Sequence, residues 1–326
     1  ASFISMVRRA TRRVTSGVIG LVSALFFQEL TRVSLSLSTL PSAPLCAVMP
    51  RTYGVVGVGT MNQRIVQGLC TCSQPAEKVV VSPRNAEKAA ALQQEFPSVV
   101  SVLGSNQEVI DASEVVFLGV LPAQMVEVLS TLKFREDQLI ISLASTVALE
   151  VLVANCASAS KDKIVRAIPL PPVAKHRGVT LITPVQEDVI AIFNLLGKAV
   201  AVSDESQMKS MMGMTSLMGQ FYEQQLQAQR WLEQQGIESD TAAKYIGSLF
   251  HCFSFDSAEA KADTFEHLVA EQTPGGLNEM VIRQLREAGS YTALHDSLNA
   301  VSSRIKGVAQ PELRKTPYSS EAASSL

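Results

Sequence analysis

The chain has 326 residues, 47% hydrophobic and 18% charged, which is enough apolar material for about two domains and too apolar for a disordered chain. A formal net charge of −2 and 6% aromatic residues exclude the basic, base-stacking surface of a general nucleic-acid binder. The five cysteines, Cys46, Cys70, Cys72, Cys156 and Cys252, are odd in number and form no C-x-x-C pair, which argues against a disulfide framework or a zinc site and for a reducing compartment.

Residues 1–49 differ from the rest. Arg8, Arg9, Arg12 and Arg13 come early, Glu29 is the only acid, and "VTSGVIGLVSALFF" is too short to span a membrane. An organelle transit peptide, a signal peptide and a non-native leader all fit this composition. Met49 directly precedes the start of the regular pattern. We expect the segment to be poorly ordered and the protein to be cytoplasmic, or mitochondrial or plastid if the leader is a transit peptide.

From Tyr53 the pattern alternates. "YGVVGVG" reads as a buried strand and "MNQRIVQGLC" as a helix. "KVVVSP" is a strand, and "NAEKAAALQQEF" a helix of strong formers. "VVSVLG", "SEVVFLGV" and "QLIISLAS" are short β-branched strands, and "KIVRAIPL" and "GVTLITP" continue the sheet. "QEDVIAIFNLLGK" is a helix and "AVAVS" a last strand. This alternation predicts an α/β fold with a parallel, doubly wound sheet covered on both faces, over residues 50–202. From residue 203 to 308 only helical spacing remains. The apolar faces there exceed what one small domain needs, and such helices often pair with a second subunit. Residues 309–326 read as a loose polar tail.

The first strand runs into Gly57-x-Gly59 and then a helix. Gly57 permits a tight turn, and Gly59 lets the backbone approach a pyrophosphate at the helix N-terminus. Asn62 stands where a third small residue usually serves helix–strand packing, so the helix should stand off slightly or Asn62 should point outward. A glycine turn without a ligand is the plain alternative. The second strand ends in Ser82 and Arg84, where an NAD site usually has an acid for the ribose 2′-OH. A hydroxyl and a guanidinium suit a 2′-phosphate, which points to NADP over NAD.

Five pieces in order resemble one known family. They are "VVGVGTM", "SEVVFLGVLPAQMVEVL", "IISLASTVALEVL", "KIVRAIPLPPVAKHRGVTLI" and "LVAEQTPGGLNEMVIRQLREAGSYTALHDSLNAVSSR". Together they resemble the pyrroline-5-carboxylate reductases, over Tyr53 to about Gly307. The resemblance implies a Rossmann domain followed by an all-α dimerisation domain, in a homodimer or larger homo-oligomer. It implies hydride transfer from NADPH to a cyclic imine, by default pyrroline-5-carboxylate to L-proline, with the substrate at the dimer interface. Thr60, Met61, Val120, Pro122 and Pro169 join Gly57, Gly59, Ser82 and Arg84 as implied cofactor residues. The loop Thr273-Pro274-Gly275-Gly276-Leu277-Asn278 stands where the family binds substrate. Gly275, Gly276 and Leu277 are its implied substrate contacts, and Thr273 and Asn278 its implied catalytic groups.

The chain departs from the family pattern at four places. A family Lys is Leu121, and an Asn-Thr is Leu170-Pro171. A small-residue stretch becomes "MGMTSLMGQFY", and Leu277 makes the loop less polar. These exchanges suggest an altered pocket, so two alternatives stay open: a different imine or carbonyl substrate, or an NADP-binding dimeric protein without turnover. No metal is expected, because the four histidines lack ligand spacing. His176 and Arg177 read as surface residues. Met208, Met211, Met212, Met214 and Met218 read as a core or interface seam.

Overall fold

The computed structural model describes residues 51–255 and 257–308. The leader of residues 1–49 and the tail of residues 309–326 lie outside the described residues, as does Cys46.

Eight strands form one sheet in the order β3-β2-β1-β4-β5-β6-β7-β8. They are β1 (Thr52–Val56), β2 (Lys78–Val81), β3 (Val100–Val102), β4 (Val115–Leu118), β5 (Leu139–Ser142), β6 (Ile164–Pro169), β7 (Gly178–Thr183) and β8 (Gly197–Ala201). The helices between them are α1 (Thr60–Thr71), α2 (Ala86–Glu95), α3 (Asn106–Asp111), α4 (Met125–Ser130), α5 (Leu149–Asn155) and α6 (Glu187–Leu195).

The strands are apolar at successive positions because both faces are covered. Tyr53, Val55, Val115, Phe117 and Ile141 pack with α1, α2 and α6 through Ile65, Leu69, Leu92 and Phe193. Their neighbours Val56, Val116, Leu118 and Ile140 pack on the opposite face with Ile110, Met125, Leu129 and Leu152. Strand order reverses at β1, which pairs with β2 on one side and β4 on the other. Such a reversal opens a crevice beyond the strands' carboxyl ends.

The sheet is not wholly parallel. β6 and β7 run antiparallel, with Arg166 opposite Thr183 and Pro169 opposite Thr180. Their link holds only a short 3-10 turn, Pro171–Lys175, too brief for the crossover that parallel strands need. That turn packs tightly on α1: a Cβ at Gly68 would lie 2.7 Å from Val173 O. His176, in the left-handed region at φ 56°, brings Nε2 to 3.2 Å from Gly68 O and 3.3 Å from Thr71 Oγ1.

After β8 every described element is helical: α7 (Glu205–Met212), a 3-10 turn (Gly213–Ser216), α8 (Leu217–Gln234), α9 (Ser239–Phe255), α10 (Thr264–Ala270), α11 (Leu277–Glu287) and α12 (Ser290–Lys306). Asp204 starts α7, its Oδ1 accepting from the Gln207 N–H at 2.9 Å. A buried pair ties α7 to the sheet: Arg166 donates to Glu205 and, at 2.8 Å, to Ser145 O. Glu205 also accepts from the Leu149 N–H at 2.8 Å, at the start of α5. Of the methionine series, Met208 is core, whereas Met214 and Met218 are exposed.

Candidate functional site

Gly57 closes β1 at φ +88°, a backbone state that side chains disfavour, and a Cβ there would sit 3.0 Å from Gly119 O. The Gly59 N–H donates to Gly57 O at 2.9 Å, completing the turn. Gly59 is the N-cap of α1, and no side chain caps the helix. The first N–H groups of α1 therefore face outward without helical partners, as an anion requires.

An open cavity of about 500 Å³ lies at this turn. Gly57, Val58 and Gly59 form its floor. Arg84, Asn85, Ala86 and Glu87 form one wall, at the end of β2 and the start of α2. Gly119, Val120, Leu121 and Gln124 form the other, beyond β4. The cavity is thus the crevice where strand order reverses.

Two residues differ from their sequence expectation. Asn62 neither points outward nor pushes α1 away. It is buried, and its Nδ2 donates to Gly57 O at 2.7 Å. The room comes from Gly119, where a Cβ would overlap the Asn62 carboxamide. Ser82 does not reach the cavity. It is fully buried beneath the turn, and its Oγ accepts from the Gly57 N–H at 2.9 Å. Its hydroxyl holds the glycine turn rather than a 2′-phosphate.

Of the other expected cofactor residues, Gly57, Gly59, Arg84 and Val120 line the cavity, whereas Thr60, Met61, Pro122 and Pro169 do not. Arg84 is exposed and has no bond to any described residue. Lys88, which sequence reasoning missed, donates through Nζ to Thr60 Oγ1 at 3.1 Å. This places a second cation beside the start of α1. Its signal was its place one helical turn after Arg84. Asn85 is occupied as a cap, its Oδ1 accepting from the Lys88 N–H at 3.3 Å.

The second group of expected residues sits apart. Thr273 to Gly276 form a turn closed by Gly276 N–H to Thr273 O at 2.9 Å, with Gly275 at φ +73° after Pro274. This is the pattern of a type II turn, which calls for Gly at that position. Gly276 then caps α11 without a side-chain bond. Asn278 donates to Gln272 Oε1 at 2.7 Å, and Gln272 donates to Leu268 O at 2.8 Å. Leu277 is 78% exposed. None of these residues lines the nucleotide-type cavity. Of the four departures from the family pattern, only Leu121 does.

Among the described residues, no cluster of three or more His, Cys, Asp or Glu is disposed to hold a metal. None of their helices is long and apolar enough to cross a membrane. The four described cysteines are free. Burial pushes the Cys70 and Cys156 thiols up to about 12, so neither is an activated nucleophile.

Residues 52–146 match the family model described as "NADP oxidoreductase coenzyme F420-dependent". A pyrroline-5-carboxylate reductase of Haemophilus influenzae is 30% identical over 203 residues, covering 59% of this chain and 72% of that protein. The chain belongs to the pyrroline-5-carboxylate reductase family. A member from Escherichia coli is 32% identical over 167 residues, 48% of this chain, and the match spans 60% of that relative's length. Among solved structures, a pyrroline-5-carboxylate reductase from Coxiella burnetii superposes with a TM-score of 0.69 at 22% identity, over 80% of this chain and all of that one. A Plasmodium falciparum pyrroline carboxylate reductase with NADP bound gives 0.62 at 15% identity, over 79% and 97%. At these identities the structures speak for the fold: an N-terminal Rossmann-type sheet followed by helices.

Proposed function

We infer that this chain is an NADPH-dependent reductase of a cyclic imine, with pyrroline-5-carboxylate to L-proline as its default reaction. The observation that carries this reading is the cavity at the Gly57–Gly59 turn with Arg84 unpaired on its wall, in a chain of this family. Residues 50–202 hold the nucleotide, and residues 203–308 serve dimerisation and substrate.

The cavity's donors fit a dinucleotide. The free N–H groups at the start of α1 suit the diphosphate, and Gly57 leaves it room, since a side chain there would crowd Gly119 and Val120. Arg84 can grip a 2′-phosphate through two N–H groups. Lys88 adds positive charge nearby, and no acid ends β2 to bond a free 2′-OH. Glu87 shares the wall, so the preference for NADP rests on Arg84. The bound cofactor supplies the hydride.

The chain's remaining task is to hold the imine, which is already electrophilic once protonated. The free N–H groups at the start of α11, past Gly275 and Gly276, suit the substrate carboxylate. The Thr273 hydroxyl and the Asn278 amide can hydrogen-bond the ring nitrogen.

We further propose a homodimer or larger homo-oligomer. Helices α8 to α12 bury few residues in one chain, among them Ala242 and Ile246. Phe221, Tyr222, Trp231, Phe253, Phe255 and Phe265 are exposed. Such a surface needs cover, and a second copy would supply it. It would also bring the Thr273–Asn278 loop to a cavity that one chain leaves without it. A second reading, a larger and more apolar imine, is favoured by the exposed Leu277 in that loop.

The test mixes the purified protein with NADPH and pyrroline-5-carboxylate and follows nicotinamide absorbance. Rapid oxidation that falls ~10–100-fold in Asn278→Ala, with NADPH affinity unchanged, is expected. Tight NADPH binding without turnover overturns this substrate and leaves a different imine or a non-catalytic role.

A further inference from the structure

The link between α10 and α11 carries a chain of hydrogen bonds that its glycine turn does not need. Helix α10 ends at Ala270, and Leu268 O lies in its last turn. Gln272 Nε2 donates to Leu268 O at 2.8 Å, and Gln272 Oε1 accepts at 2.7 Å from Asn278 Nδ2, in the first turn of α11. This chain has only one polarity. A backbone carbonyl can only accept, so Gln272 must offer it the amide nitrogen. That leaves the Gln272 oxygen for Asn278, which must in turn offer Nδ2. The two ends of a carboxamide have nearly the same shape, so without Leu268 O either end of Asn278 could face outward. With it, Asn278 Oδ1 is the end left over. It has no partner among the described residues, and the residue is exposed.

We propose that Gln272 is a positioning residue that turns the Asn278 carboxamide so that Oδ1 receives the ring N–H, which restricts the site to rings with a protonated nitrogen. The proposal rests on the reading of Thr273–Asn278 as the substrate loop. An amide oxygen accepts and cannot donate, so it holds a protonated imine through its N–H. The imine carbon takes the hydride of NADPH, the C=N electron pair closes onto nitrogen, and a neutral secondary amine and NADP+ remain. That amine keeps its N–H, so one contact serves substrate and product. A ketone or ether oxygen would meet Oδ1 lone pair to lone pair. A site built to bond an N–H rejects an isostere that lacks it more strongly than an apolar pocket does.

The test uses the full chain with NADPH and pyrroline-5-carboxylate, and compares inhibition by L-proline with inhibition by tetrahydrofuran-2-carboxylate, in which an ether oxygen replaces the ring N–H. Wild type is expected to favour L-proline ~10-fold or more. Gln272→Met frees the Asn278 amide to turn. It should bring the two rings within about threefold and lower kcat/KM ~10-fold, with NADPH affinity unchanged. A hydroxyl rotates to donate or accept and needs no such orientation. In the Asn278→Thr background, therefore, adding Gln272→Met should lower kcat/KM by no more than about twofold. Equal inhibition by both rings in a wild type that turns over overturns this proposal and leaves the proposed reaction standing. So does a loss in Gln272→Met that is the same in both backgrounds, which marks a contact that only steadies the loop. Absence of turnover by wild type removes the proposed reaction, and this proposal with it.

Discussion

The Asn62 carboxamide occupies the space that any side chain at residue 119 would need, and it uses that position to hold Gly57 O at 2.7 Å. The two residues are therefore coupled across the start of α1 and the end of β4. Gly119→Ala should destabilise the fold by about 1–3 kcal/mol through overpacking. Asn62→Ala should cost about 1–3 kcal/mol by removing the buried bond. The double variant should recover about 1–2 kcal/mol relative to the sum of the singles. Urea unfolding of the four proteins measures this, and strict additivity would refute the coupling.

Ser82 and Arg84 are two residues apart and should fail in different ways. Ser82→Ala removes the acceptor for the Gly57 N–H, so stability should fall by about 1–2 kcal/mol while the ratio of NADPH to NADH affinity holds. Arg84→Ala should leave stability unchanged, weaken NADPH ~10–100-fold and spare NADH. Titrating both cofactors into both variants separates the roles. A Ser82 variant that loses only NADPH would place its hydroxyl on the phosphate after all.

Arg166 and Glu205 form a buried pair that joins β6, the start of α5 and α7. Removing Glu205 alone, as Glu205→Leu, leaves a buried guanidinium uncompensated and should cost about 3–5 kcal/mol. Replacing both, as Arg166→Met with Glu205→Leu, should recover most of that loss. Thermal melts decide between this and a pair that merely sits at the surface.

Burial holds the Cys70 and Cys156 thiols protonated, with values raised from 9.0 to about 12. A folded value above the unfolded one favours the fold fully below about pH 9 and less as pH climbs toward 12. The melting temperature should therefore hold up to about pH 9 and fall as the pH rises from there toward 12. In the native protein iodoacetamide should label exposed Cys252 well ahead of Cys70, Cys72 and Cys156, by peptide mass mapping. Rapid native labelling of Cys70 would show that its burial is not maintained in solution.

Much of the architecture is readable along the chain. The β-branched runs alternating with Ala-, Leu- and Glu-rich helices announce a doubly wound sheet, because period and propensity are local properties. Gly57 and Gly59 announce the turn for the same reason: only glycine suits the backbone at Gly57, whatever surrounds it. The Pro274-Gly275 turn and the split between α11 and α12 at Gly289 are equally local.

What the tertiary structure decided concerns partners distant in sequence. Asn62 reads as an obstacle until Gly119 on another strand is seen to make room for it. Ser82 reads as a ligand until β2 is laid beside β1 and its hydroxyl meets the Gly57 N–H. The antiparallel step from β6 to β7 follows from a link too short to cross the sheet. Arg166 finds its partner Glu205 39 residues along the chain, where α7 packs on the sheet. Local pattern determines which elements form, because it needs only neighbouring residues. Packing determines which polar groups are used up and which are left for a ligand, because that depends on what the fold brings alongside them.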